Sequence, residues 1–149
     1  IGLLVLLLTA CGGNRAVKQR VFPPSASIQE LRRSGDDQWT LMLRLQNFSN
    51  VGMRIARVDA QLTIGDGASM ALETTPGITV APDSAEPYPL GFQLNADATR
   101  AIADALSSGR SVKYQLKGRI ESSEPRSRND EFDFDSSLTP VPGLTDTLR

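Results

Sequence analysis

A chain of 149 residues, 40% hydrophobic and 22% charged, carries enough apolar side chain for one folded domain of ordinary size. Its formal net charge of −1 gives no electrostatic reason to expect nucleic acid, whose binding needs a basic face to displace counterions. One Cys excludes an internal disulfide, and the absence of His excludes Ser-His-Asp and Cys-His nucleophiles together with the usual zinc sites.

The chain opens with an apolar run from Ile1 to Leu8, then the small residues Thr9 and Ala10, then Cys11. A bilayer-spanning helix needs about 20 apolar residues, so this run does not cross a membrane. Its length fits the apolar centre of a secretory signal peptide whose start Met and basic segment are cut from the sequence. Leu8-Thr9-Ala10-Cys11 resembles the lipobox of bacterial lipoproteins. That resemblance implies removal of residues 1–10, diacylation of the Cys11 thiol and acylation of the new amino terminus, and two or more chains anchor a protein stably. Gly12 stands where Asp favours inner-membrane retention in the resembled lipoproteins, which points to the periplasmic face of the outer membrane. Residues 11–24 are then a lipidated Cys and a flexible tether, reaching roughly 45 Å when extended. Arg15, Lys18 and Arg20 read as charges of a solvated linker, with anionic headgroups as the alternative partner.

From Ser25 onward, apolar and polar residues alternate with the period of half-buried strands. Residues 25–33 and 38–47 form a hairpin across the turn Ser34-Gly35-Asp36-Asp37, with Trp39, Leu41, Leu43 and Leu45 on one face. In residues 53–64, Met53 and Ile55 keep one phase while Val58, Ala60, Leu62 and Ile64 keep the other. That switch predicts a bulge near Ala56-Arg57. Gly65-Asp66-Gly67 turns the chain into a strand over 68–74, and 78–80 is a short extension. Residues 86–94 place Tyr88, Leu90, Phe92 and Leu94 inward. Pro87 and Pro89 take the other phase, which marks an edge strand. Ala98, Ile102, Ala105 and Leu106 recur at helical spacing over 97–108, and Gly109 terminates the helix.

Strands resume over 111–122, with Val112, Tyr114, Leu116, Gly118 and Ile120 in phase, and over 131–138, with Phe132 and Phe134 inward. Residues 139–149, with two prolines and a glycine, read as a loose tail, so that the domain spans 25–142 and the C-terminal tail 143–149. About seven short strands at this spacing give an all-β antiparallel β-sandwich with one short α-helix.

Few residues suggest chemistry. Glu131, Asp133 and Asp135 share one strand face and are a weak calcium candidate, although their spacing is not that of an EF-hand loop. A solvated, charged edge strand accounts for them as well. Arg32, Arg33, Arg126 and Arg128 lack interleaved aromatics and read as solvated charges. Trp39, Tyr88 and Tyr114 read as core residues, the phenols reaching a polar partner at the rim. Asn47-Phe48-Ser49 matches the glycosylation pattern, which recurs by chance. No catalytic residue, resident metal or cofactor is expected.

Taken together, LMLRLQN (41–47), IARVDAQLTIGDG (55–67), PGITVAPDSAEPYPLGFQL (76–94), the helix, VKYQLKGRI (112–120) and FDFDSSLTPVP (132–142) resemble the LEA type 2 family, also called the water stress and hypersensitive response (WHy) domain. Asn47 is followed by Phe48 where that family often has Asn-Pro. The resemblance implies an immunoglobulin-like sandwich over 25–142, an association with desiccation and other stress, and no agreed catalytic residues. The expected function is that of a non-catalytic protein, lipid-anchored in the cell envelope through Cys11, that protects or binds macromolecules under stress. The alternatives are a periplasmic small-ligand-binding module and an adaptor of an envelope transport or assembly complex. The expected partners are the membrane and protein clients or an envelope partner, with no nucleic acid.

Overall fold

Nine strands and one helix follow from these patterns in a computed structural model that describes residues 16–149; Cys11 and the apolar run before it lie outside the described residues. The elements are β1 (Ser25–Arg33), β2 (Trp39–Asn47), β3 (Met53–Ile64), β4 (Met70–Thr74), β5 (Ile78–Val80) and β6 (Ser84–Phe92). Then come α1 (Ala96–Ser108), β7 (Val112–Glu124), β8 (Arg128–Leu138) and β9 (Thr147–Leu148). They build two antiparallel sheets, β6-β2-β1-β9 and β4-β3-β7-β8, with β5 also pairing β3. The all-β sandwich with a single helix is therefore the architecture.

The inward phases meet as one apolar core. Leu31, Leu41, Leu43 and Leu45 of one sheet and Ile55, Leu62, Leu116 and Ile120 of the other are fully buried. Each such side chain contributes about 1.5–3 kcal/mol relative to exposure, which makes this seam the main source of stability. The expected phase switch in β3 is present: its register against β7 shifts on both sides of Ile55, leaving Ala56 without a partner. A second shift, between Ile28 and Glu30, interrupts β1. β6 lies at the edge of its sheet, with Pro89 opposite Met42 and Pro87 opposite Arg44.

The helix begins at Ala96, one residue before the segment that the periodicity marks. Asn95 is the N-cap, its Oδ1 accepting the Ala98 N–H at 2.8 Å, and Gly109 closes the helix at φ 68°. Ala98, Ile102 and Ala105 are its buried stripe. Asp97 ties the helix to the β3–β4 turn by accepting the Ala68 N–H at 3.1 Å.

Two expectations about the chain ends are corrected. Residues 143–149 are not a loose tail: β9 pairs with β1 through Leu31–Leu148 and Arg32–Thr147, and Leu148 is completely buried. The domain therefore extends past Pro142 to the last residues. An isolated strand pair of two residues has no readable alternation, but it covers an otherwise open edge of β1. Nor are all of residues 11–24 a free tether, because Pro24 is buried and Val21 packs against the core.

Candidate functional site

The end of the sandwich at which β2 finishes and β3 begins is organised around one polar side chain. Asn47 is completely buried, a position that costs free energy unless its amide is fully used. Its Nδ2 donates to the carbonyls of Val51 at 2.8 Å, Ala81 at 3.1 Å and Val80 at 3.2 Å, and its Oδ1 accepts the Ser49 N–H at 2.9 Å. One amide thereby fixes the β2–β3 loop and locks it to the β5–β6 connection. Buried and engaged in this way, the Asn47 nitrogen is not open to glycosylation.

The loop that Asn47 shapes then captures the segment leading into β1. Ser49 Oγ accepts the Phe22 N–H at 2.8 Å. Asn50 Oδ1 accepts the Arg20 N–H at 2.7 Å, and Asn50 Nδ2 donates to the Lys18 carbonyl at 3.0 Å. From the other sheet, Arg128 donates to the Val21 carbonyl at 3.3 Å while forming a partly buried ion pair with Asp130 at 2.7 Å. Held on this platform, Phe22 and Phe48 are each 49% exposed and Val17 is 83% exposed. Asn47, Ser49 and Asn50 as a unit escape sequence reading, because their partners are backbone groups distant in the chain. The available signal is short polar residues directly after a strand, a composition that favours side-chain-to-backbone turns.

The other residues singled out above are not gathered in one place. Glu131 accepts from Arg119 at 3.0 Å, and Asp133 accepts from Gln115 at 3.0 Å with Lys117 at 3.8 Å. Asp135 stands opposite Gln115 on the same exposed face. Two of the three carboxylates thus face cross-strand cations, and among the described residues no three metal-ligating side chains converge. The four arginines divide between the two ends of the sandwich. Arg33 lies 5.3 Å from the Trp39 ring centre and 3.6 Å from Asp146, whereas Arg128 belongs to the Asn47 end. Trp39 and Tyr114 are core residues as expected, at 3% and 4% exposure. Burial pushes the Tyr114 phenol above the ordinary 10.0, opposed by hydrogen bonding with Ile28 and Ser136.

The space between the sheets is filled by the core side chains. Concavities lie outside it. One of about 450 Å³ opens on the β7–β8 face between Lys117, Arg119, Glu131 and Asp133, and a polar one of about 380 Å³ opens beside the helix between Asp66, Asp97, Arg100 and Asp104. Both are wide open to solvent. Within the core, Ser122 Oγ is buried without a hydrogen-bond partner among the described residues.

The family model of the late embryogenesis abundant proteins (LEA_2) matches residues 42–137, from β2 through β8. The chain belongs to that family. This LEA_2 chain shares its fold with a protein from Arabidopsis thaliana solved in solution: 9% identity, TM-score 0.54, covering 85% of this chain and 88% of that one. A crystal structure of a protein from Archaeoglobus fulgidus aligns at 15% identity and TM-score 0.46 over 82% of this chain and 98% of that one. A solution structure described as a late embryogenesis abundant (LEA) protein aligns at 11% identity and TM-score 0.45, covering 79% of this chain and 72% of that one. No curated protein is significantly similar in sequence. The LEA_2 match spans Asn47 and its loop but stops short of β9 and begins after β1.

Proposed function

We propose that this LEA_2 protein is a non-catalytic, lipid-anchored protein of the cell envelope that protects macromolecules when water is withdrawn by drying or osmotic stress. The observation that supports protection is the outer face of the β4-β3-β7-β8 sheet, where charges are laid out in cross-strand pairs. Arg57 pairs with Glu73 at 3.3 Å, Arg119 with Glu131 at 3.0 Å, and Lys117 with Asp133 at 3.8 Å. In water such exposed pairs contribute little. As water leaves, screening falls and each charge already faces its counter-charge, so the fold does not need a hydration shell to satisfy that face. The envelope location rests on Cys11 and its lipobox-like setting.

The test is to dry a labile enzyme with this protein, rehydrate it and measure recovered activity against an equal mass of an unrelated globular protein. Recovery clearly above that control supports protection, and equal recovery overturns it. A parallel pull-down from stressed and unstressed envelopes that captures one stoichiometric partner would replace general protection with an adaptor role.

A further inference from the structure

We infer that the Asn47 end of the sandwich is a seat for an anionic phospholipid surface, so that the domain stands on the membrane rather than swinging above it. The inference rests on the lipid-anchor reading for its context but on different residues for its content. Three observations carry it.

First, the described chain begins at this end. The backbone of Lys18, Arg20 and Phe22 is hydrogen-bonded to Asn50 and Ser49, so Cys11 is seven residues along the chain from a point fixed at this end, a span of at most about 25 Å. Any lipid attached at Cys11 is therefore confined to the neighbourhood of this end.

Second, the exposed large apolar side chains concentrate here. Val17, Phe22 and Phe48 are at this end, with Leu144 at the other. Phe22 and Phe48 stand on adjoining segments joined through Ser49, whose carbonyl also accepts the Asp83 N–H. Half-exposed aromatics on a stiff loop match the shallow burial of interfacial anchors, which reach into the boundary between headgroups and acyl chains.

Third, the ends differ in charge. Around the aromatics lie the exposed cations Lys18, Arg20, Arg54 and Arg126, against the exposed acids Asp83 and Glu124. The opposite end carries Asp36, Asp37, Asp66, Asp97, Asp104 and Asp146 against the cations Arg32, Arg33, Arg100, Arg110 and Lys113, with Arg33 and Arg100 paired to Asp146 and Asp97. In a nearly neutral chain the aromatic end thus carries the surplus of cations, while the opposite end is close to balanced. An anionic surface attracts the first end more than the second, and the attraction acts within about a Debye length of 8–10 Å.

The test uses the full acylated chain, purified from envelopes, on vesicles of phosphatidylethanolamine and phosphatidylglycerol with brominated acyl chains. Phe48→Trp and Leu144→Trp, both at exposed positions, each add one reporter to the common background of buried Trp39. The expected result is loss of most of the added fluorescence for Phe48→Trp and retention of it for Leu144→Trp. Replacing phosphatidylglycerol by phosphatidylcholine, or combining Arg20→Gln with Arg126→Gln, should weaken that loss. Full fluorescence of Phe48→Trp on vesicles with which the chain still floats overturns the seat while leaving the anchor intact. So does shielding of Phe48→Trp by a co-purifying protein in place of lipid. Cys11→Ser separates the two ideas: release of that variant from envelopes supports the anchor, and its full retention overturns the anchor without touching the quenching result.

Discussion

The Tyr114 phenol accepts the backbone N–H of Ile28 at 3.0 Å, joining residues 86 apart in sequence and linking β7 of one sheet to the free edge of β1 in the other. The bond falls where the β1 register shifts, at a point that β9 does not cover. A single side chain thus completes a ladder position that no strand reaches. Tyr114→Phe would leave the Ile28 N–H buried and unpaired, and we expect a loss of about 1–3 kcal/mol, read from a lower urea midpoint at unchanged slope.

The same phenol gives a pH dependence. Because burial raises its folded pKa above 10.0, the unfolded chain loses this proton first as pH rises. Its contribution is fully present below the ordinary tyrosine value and is lost as pH climbs from there through the raised one. Stability followed by chemical denaturation up to alkaline pH should show this decline in the native chain and a flatter limb in Tyr114→Phe.

Asn47→Ala should be among the most damaging single changes to the domain. It strands the carbonyls of Val51, Val80 and Ala81 and the N–H of Ser49 in one step. We expect a cost of about 3 kcal/mol or more by equilibrium unfolding. Asn47→Asp should cost still more at neutral pH, since a carboxylate has no N–H for three carbonyls and would be buried as a charge.

Gly118 permits β3 and β7 to approach closely. A Cβ there would meet the Asp59 carbonyl oxygen, and the Ala60 Cα at 2.5 Å. Both obstacles are near-backbone, so they cannot rotate away. Gly118→Ala should destabilise by about 2–4 kcal/mol, with the loss visible as accelerated exchange of amide protons in β3 and β7.

Truncation after Pro142 tests the corrected C-terminus. Removing residues 143–149 would uncover the Leu31 edge and delete buried Thr147 and Leu148. A lower thermal midpoint is expected, whereas a loose tail would leave it unchanged.

The strands were legible because each pairs a filled interior with solvent, which stamps a period of two on β2, β3 and β7. Even the β3 bulge could be read, since an unpaired Ala56 forces Met53 and Ile55 out of phase with Val58. What the chain does not announce is structure carried by backbone groups. The pinning of Lys18 and Arg20 depends on Asn50, some 30 residues away, and leaves no periodic trace. The two-residue β9 is too short to show one. Asn95 is a standard helix-capping residue that the periodicity of Ala98 and Ile102 outweighed. The acidic stripe Glu131, Asp133 and Asp135 was visible, but its meaning depended on the strand placed beside it, where Arg119 and Lys117 stand.

The prolines of β6 bear on what happens when such chains are concentrated. Pro87 and Pro89 occupy alternate positions of an edge strand, so their missing N–H groups fall on the same side of it. Proline is tolerated in a sheet on the outward-facing positions of an edge, and that side therefore offers carbonyls but a broken row of donors to a neighbouring molecule. Another chain pressed against it cannot continue the ladder across this border. The β6 border of the β6-β2-β1-β9 sheet is thereby closed to strand addition, so edge-to-edge association through this side is disfavoured however concentrated the chains become.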